Sequence, residues 1–130
     1  MFATTYHPHQ QVVSNDDDLI ALRQAIRQTA RAAGLGPPQQ ARITAAISEV
    51  ARVMLHHDDD PLFTVRVSER AGVRAALEVV CTPHTSTNHN DASRAYSDPS
   101  LQEACALVDD STLEDGWPSP RLTLRMWIGR

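Results

Sequence analysis

Two stretches of this chain hold side chains that could do chemistry. His56-His57-Asp58-Asp59-Asp60 brings imidazole nitrogens and carboxylate oxygens together, the ligand types of a divalent metal, and folding could add His84 and His89. Adjacent residues seldom converge on one ion, however, and a polar stop at the end of a helix explains the run more simply. The second candidate is Glu49, a carboxylate that could polarise a hydroxyl or a water as general base. Without a metal beside it, a polar position on an amphipathic helix is the simpler account, and Arg52 stands between a partner contact and a solvated arginine in the same way. Cys81 and Cys105 are too few for a disulfide framework or a thiolate quartet and read as free thiols. Asp16, Asp17 and Asp18 read as a capping group, and Trp127 either anchors a partner or packs over a helix. All twelve basic residues are arginine. A Schiff-base lysine, a P-loop lysine and a lysine general base are therefore excluded, since each needs an ammonium group.

The elements that must position these residues belong to one domain, residues 1–130, of 14.3 kDa. With only 5% aromatic residues, the core must be built from Ala, Val, Leu and Ile. Sixteen acids against twelve arginines leave a formal charge of −4, which argues against general nucleic-acid binding. No apolar run is long enough to span a bilayer, and MFATTYHPHQ is no secretory signal, so a cytoplasmic protein without a membrane partner is expected. The arginine and alanine bias fits a GC-rich genome, a matter of codons and not of function.

Residues 1–15 read as an extended arm with one strand-like piece, Gln11–Ser14. Asn15 to Asp18 supply N-cap candidates for a first helix, whose apolar positions Leu19, Leu22, Ile26 and Ala30 recur at helical spacing. Gly34 is placed to end it, and Pro37-Pro38 forbid continuation. A second helix is expected from near Pro38 to about His56, with Ile43, Ala46, Ile47, Val50 and Met54 as its core stripe. Leu62–Ser68 and Arg74–Cys81 read as a hairpin around Arg70–Val73. Thr82–Ser100 is polar and aperiodic, a long loop, after which Leu101, Ala104, Cys105 and Val108 mark a short helix. Asp109–Pro120 reads as a connection and Arg121–Ile128 as a closing strand with Leu122, Leu124 and Met126 on one face. Arm, helix, helix, hairpin, loop, helix and strand make an α+β chain, a two-layer α/β sandwich whose sheet is mixed or mostly antiparallel.

The run from Asp18 through Arg27, the turn Gly34-Leu35-Gly36, and the helix Gln40-Ala-Arg-Ile-Thr-Ala-Ala-Ile-Ser-Glu-Val-Ala-Arg52 resemble the anti-sigma-factor serine kinases, the switch kinases of the GHKL, or histidine-kinase-like, ATPase superfamily. The closing Leu107-Val108-Asp109-Asp110, Gly116 and Arg121–Trp127 are similar to that family's final segment. Together these stretches bracket about two thirds of the chain in the family's order. The resemblance implies a reduced Bergerat sandwich, with STAS-domain antagonist proteins and sigma factors as partners.

The chain departs from the family at its three nucleotide boxes. The family's second helix carries a glutamate general base and, one turn later, an asparagine that holds Mg²⁺. Glu49 is kept, but position 53 is valine, which has no oxygen to offer a metal. The family's Asp-x-Gly-x-Gly adenine turn is replaced by Cys81-Thr-Pro-His-Thr-Ser-Thr87, with neither aspartate nor glycine. No glycine occurs from 73 to 115, so the glycine-rich lid over the phosphates is missing, and the 82–100 loop stands in its place. The expectation is an inactive relative without cofactor or metal, in which Glu49 is vestigial. Its protein-binding surface would include Arg23, Arg27, Glu49, Arg52, Val53 and His56, and homodimerisation is open. The alternative is a divergent serine/threonine protein kinase that uses ATP and Mg²⁺ through Glu49.

Overall fold

The computed structural model describes residues 8–69, 74–84, 94–115 and 119–129. The first helix, α1 (Asp16–Ala32), starts where Asn15 accepts the Asp18 amide at 2.9 Å, while the Asp18 carboxylate accepts the Ser14 amide at 2.9 Å. Three acids in the first turn favour the positive end of the helix dipole. At its other end the Leu35 amide bonds to the Ala30 carbonyl and the Gly34 amide to that of Arg31. That is a Schellman closure, and it requires the φ of +88° that Gly34 supplies.

The second helix, α2 (Pro37–His56), begins with prolines where no intrahelical donor is needed. It ends in a second Schellman closure, with the Asp59 amide on Met54 and the Asp58 amide on Leu55. Here the left-handed position is filled by Asp58 at φ 58°.

The strands are β1 (His9–Val12), β2 (Pro61–Ser68), β3 (Ala76–Pro83), β4 (Asp110–Glu114) and β5 (Arg121–Trp127), and the short helix α3 (Ser100–Cys105) precedes β4. They form one sheet in the order β1-β2-β3-β5-β4, each neighbouring pair antiparallel. The helices cover one face, so Phe63, Val65, Leu77, Val79, Leu124 and Met126 meet Leu22, Ile26, Ile47 and Val50 in a single core. The protein is thus an α+β two-layer sandwich, as expected, with an entirely antiparallel sheet. Among the described residues no helix is long and apolar enough to cross a membrane.

Three expectations need correction. Asp109–Pro120 is not a mere connection, because Asp110–Glu114 is an edge strand paired with β5. Four of its five residues are exposed, so it never needed the apolar alternation by which strands are recognised. The 82–100 stretch is not one loop. β3 runs on to Pro83, and a helical turn at 94–96 buries Ala95 and Tyr96 in the core; the part from 85 to 93 lies outside the described residues, as does the Arg70–Val73 turn. The arm's strand is His9–Val12 rather than Gln11–Ser14, set by its register of His9 opposite Val65 and Val12 opposite Leu62.

On the sheet face away from the helices, pairing register lines up Arg66, Glu78, Arg125 and Asp110 across four strands in alternating sign. Glu78 is only 1% exposed. It accepts hydrogen bonds from Arg66 Nε at 2.9 Å and Arg125 Nε at 2.7 Å, and Arg125 Nη1 reaches Asp110 at 2.9 Å. Burial by itself would raise the Glu78 pKa, but the bonds from Arg125 and Arg66 outweigh it and hold the carboxyl below its ordinary value.

Candidate functional site

Arg23 and Arg27 sit one turn apart on α1, on the flank of its buried Leu22–Ile26 stripe. Glu49 and Arg52 sit one turn apart on α2. The packing of α1, α2 and α3 brings these four together as walls of a groove of about 610 Å³. Ala41, Ala45 and Ala104 keep its lining low, and Glu103 and Leu107 come from the α3 side. Its volume lies in the range of about 300–1,000 Å³ typical of ligand sites.

The polar groups inside it are largely committed to structure. Ser48 Oγ donates to the Thr44 carbonyl at 2.7 Å and accepts Arg23 Nε at 2.9 Å, which ties α1 to α2. Thr44 Oγ1 donates back to Gln40 at 2.8 Å. Neither hydroxyl is therefore poised as a nucleophile. Glu49 Oε1 meets Arg52 Nη1 at 3.4 Å across two solvated side chains, a pair worth at most about 1 kcal/mol. Arg27 has no carboxylate partner among the described residues. The arrangement suits holding a charged partner surface better than moving a proton.

Two of the six expected surface residues lie elsewhere. Val53 is 6% exposed and packs in the core, so its place on the surface is corrected: the side of α2 that carries it is covered by the protein's own structure. Sequence periodicity suggested one buried stripe, but α2 is packed against the sheet, α1 and α3 at once. Thr44, Ser48, Ala51 and Val53 are buried along with the expected core positions. His56 is exposed beyond the end of the groove, with its ring edge-on to His57 at 5.6 Å.

The His56–Asp60 run diverges instead of converging. His57 Nε2 pairs with Asp98 at 2.9 Å, and that bond, with the Ser100 amide, holds the Asp98 carboxyl below its ordinary value. Asp58 turns outward, while Asp59 turns inward. Among the described residues no three His, Cys, Asp or Glu side chains could hold a metal ion, and His89 lies outside them.

Sequence reasoning missed the inward turn of Asp59. The residue is 7% exposed, and neither carboxylate oxygen has a hydrogen-bonding partner of proper geometry. Desolvation and the neighbouring Asp60 charge raise its pKa; the Asp60 amide and His84 offset part of that. Close by, Cys81 Sγ and Tyr96 Oη lie 3.3 Å apart in full burial. Burial pushes the Cys81 thiol up to about 12 and raises the Tyr96 phenol as well, so neither ionises at neutral pH. Cys81 and Cys105 are both free thiols, as expected. Trp127 lies on the sheet face away from the helices with the Arg74 guanidinium 5.2 Å from its ring centre, a cation–π contact and not a helix contact.

The α3 contribution to the groove was also missed, because Glu103 and Leu107 are exposed and carry no periodic signal toward α2. No protein-family model matches the chain, and no curated protein matches it significantly.

Proposed function

We propose that this protein is a regulatory protein-interaction module, a catalytically inactive relative of the anti-sigma-factor serine kinases. Through the groove walled by α1, α2 and α3 it binds a STAS-domain antagonist protein or a sigma factor and holds it without phosphorylating it. The observation that carries this reading is at position 53. Where the resembled family holds Mg²⁺ with an asparagine, an apolar side chain is packed out of reach of solvent. Glu49, one turn earlier, meets Arg52 at 3.4 Å across two solvated side chains. The adjoining groove, with Arg23, Arg27, Glu49 and Arg52, supplies a surface of mixed charge suited to a protein partner.

Calorimetric titration with ATP, with and without Mg²⁺, tests the inactive half of the reading. No heat of binding is expected. Micromolar binding would overturn it in favour of a serine/threonine protein kinase working through Glu49. Native co-purification followed by mass spectrometry tests the partner half, with Arg27→Glu expected to reduce recovery of a STAS-domain protein or sigma factor. Equal recovery with that variant would remove the groove from the interface.

A further inference from the structure

The outer edge of the sheet at β4 is built differently from the rest of the surface. An edge strand presents unpaired N–H and C=O groups, and natural proteins usually guard such edges with lysines, prolines or inward-facing charges. Among the described residues nothing pairs with β4 on the side away from β5. This chain has no lysine, β4 contains no proline, and its two charged residues are drawn back onto β5: Asp110 to Arg125 at 2.9 Å and Glu114 to Arg121 at 3.1 Å.

The other face of β4 carries Ser111 and Leu113, opposite Leu124 and Leu122 of β5. Leu122 is buried, but Leu113 is 47% exposed because α3 covers this end of the sheet incompletely. Between α3 and β4 lies a cavity of about 670 Å³, whose apolar part is formed by Leu101, Cys105, Leu113 and Leu122 and whose rim includes Asp98 and Gln102. Asp110 and Glu114, although each pairs with one arginine of β5, keep side chains 42% and 61% exposed at this edge.

We propose that the free edge of β4 and this cavity form a docking site for an extended basic segment of a partner protein, added to the sheet as a further strand. The unpaired backbone groups of β4 provide the hydrogen bonds, as in other strand-addition complexes. Side chains of an added strand alternate between faces. One set enters the cavity beside Leu113 and is apolar; the other lies over Asp110 and Glu114 and is arginine or lysine. A second copy of β4 fits less well, because antiparallel self-pairing sets Asp110 against Glu114 and opposes like charges.

The test uses the full chain and a fluorescein-labelled peptide of alternating arginine and valine, read by fluorescence anisotropy. Saturable binding is expected, absent for the glutamate–valine peptide. N-methylating one alternate set of peptide amides removes the hydrogen bonds to β4 and weakens binding at least about tenfold, while methylating the other set spares it. Leu113→Lys, an exposed change that leaves the circular dichroism spectrum intact, blocks the cavity and weakens binding to a similar degree. No binding, equal effects of the two methylated sets, or full affinity in Leu113→Lys would each overturn the proposal. A concentration-dependent dimer in sedimentation that Leu113→Lys abolishes would assign the edge to a second copy instead.

Discussion

Replacing Asp59 by asparagine should stabilise this protein, and the gain should depend on pH. The carboxylate is 7% exposed, neither oxygen has a hydrogen-bonding partner of proper geometry, and the two nearest compensating groups, the Asp60 amide and His84, do not cancel the burial. A buried unsatisfied polar group costs about 1–3 kcal/mol, more when charged. Asparagine keeps the shape and also lacks partners, so only the charge-dependent part is recovered, about 1–2 kcal/mol. At about 4 °C per kcal/mol for a chain of this size, the melting temperature should rise by about 4–8 °C near neutral pH. The sign of the pH effect follows from linkage. The folded pKa of Asp59 is raised above 3.8, so its contribution is fully present below that value and is lost as pH rises through the folded pKa. The variant's advantage is therefore largest at neutral pH and shrinks toward zero in acid, while titrating groups that do not feel the Asp59 charge affect both proteins alike. Urea unfolding followed by circular dichroism, at neutral pH and at the lowest pH where both proteins stay folded, measures it directly. A variant less stable than the parent at neutral pH, or a gain that is the same at both pH values, would refute the reasoning.

Other perturbations follow from the same geometry. Glu78→Ala leaves Arg66 and Arg125 facing each other without the carboxylate between them, and should cost about 3 kcal/mol in urea unfolding. In the parent, the Glu78 carboxyl is held below 4.5, so its contribution is present above that value and lost as pH falls; the acid limb of the stability profile should flatten in the variant. Gly34→Ala should cost about 1 kcal/mol in thermal melts through the φ of +88° alone, since a methyl group there meets no atom within 4 Å. Val53→Asn puts an unpartnered amide into the core and should cost about 2–3 kcal/mol, with no gain of ATP binding by calorimetry.

Much of the frame could be read from short-range patterns. Asn15 and Gly34 delimit α1, Pro37-Pro38 open α2, and the alternation Leu122, Leu124, Met126 marks β5, because capping and periodicity act within a few residues of chain. β4 escaped notice since an exposed edge strand obeys no apolar pattern; its pairing with Arg121–Arg125 is what makes it a strand. Of the groove, Arg23, Arg27, Glu49 and Arg52 were legible as polar positions on two helices, but their meeting depends on how the helices pack. Glu103 and Leu107 joined from an element seen only as a short helix.

Length, charge, the absence of lysine, the valine at position 53 and the lack of glycine from 73 to 115 belong to the sequence alone, and together they exclude lysine chemistry and remove the oxygen and backbone freedom that a nucleotide site of the resembled kind uses. Tertiary structure decided which of these residues water can reach. Val53 and Asp59 both lie at or near the end of α2 and are buried, one in apolar packing and the other without a hydrogen bond of proper geometry. Glu78, an acid inside an apolar strand, is stable there because sheet register places an arginine on either side of it. Local propensity extends over one or two turns of chain, whereas burial and register depend on partners far away in sequence, and those exist only once the fold has formed.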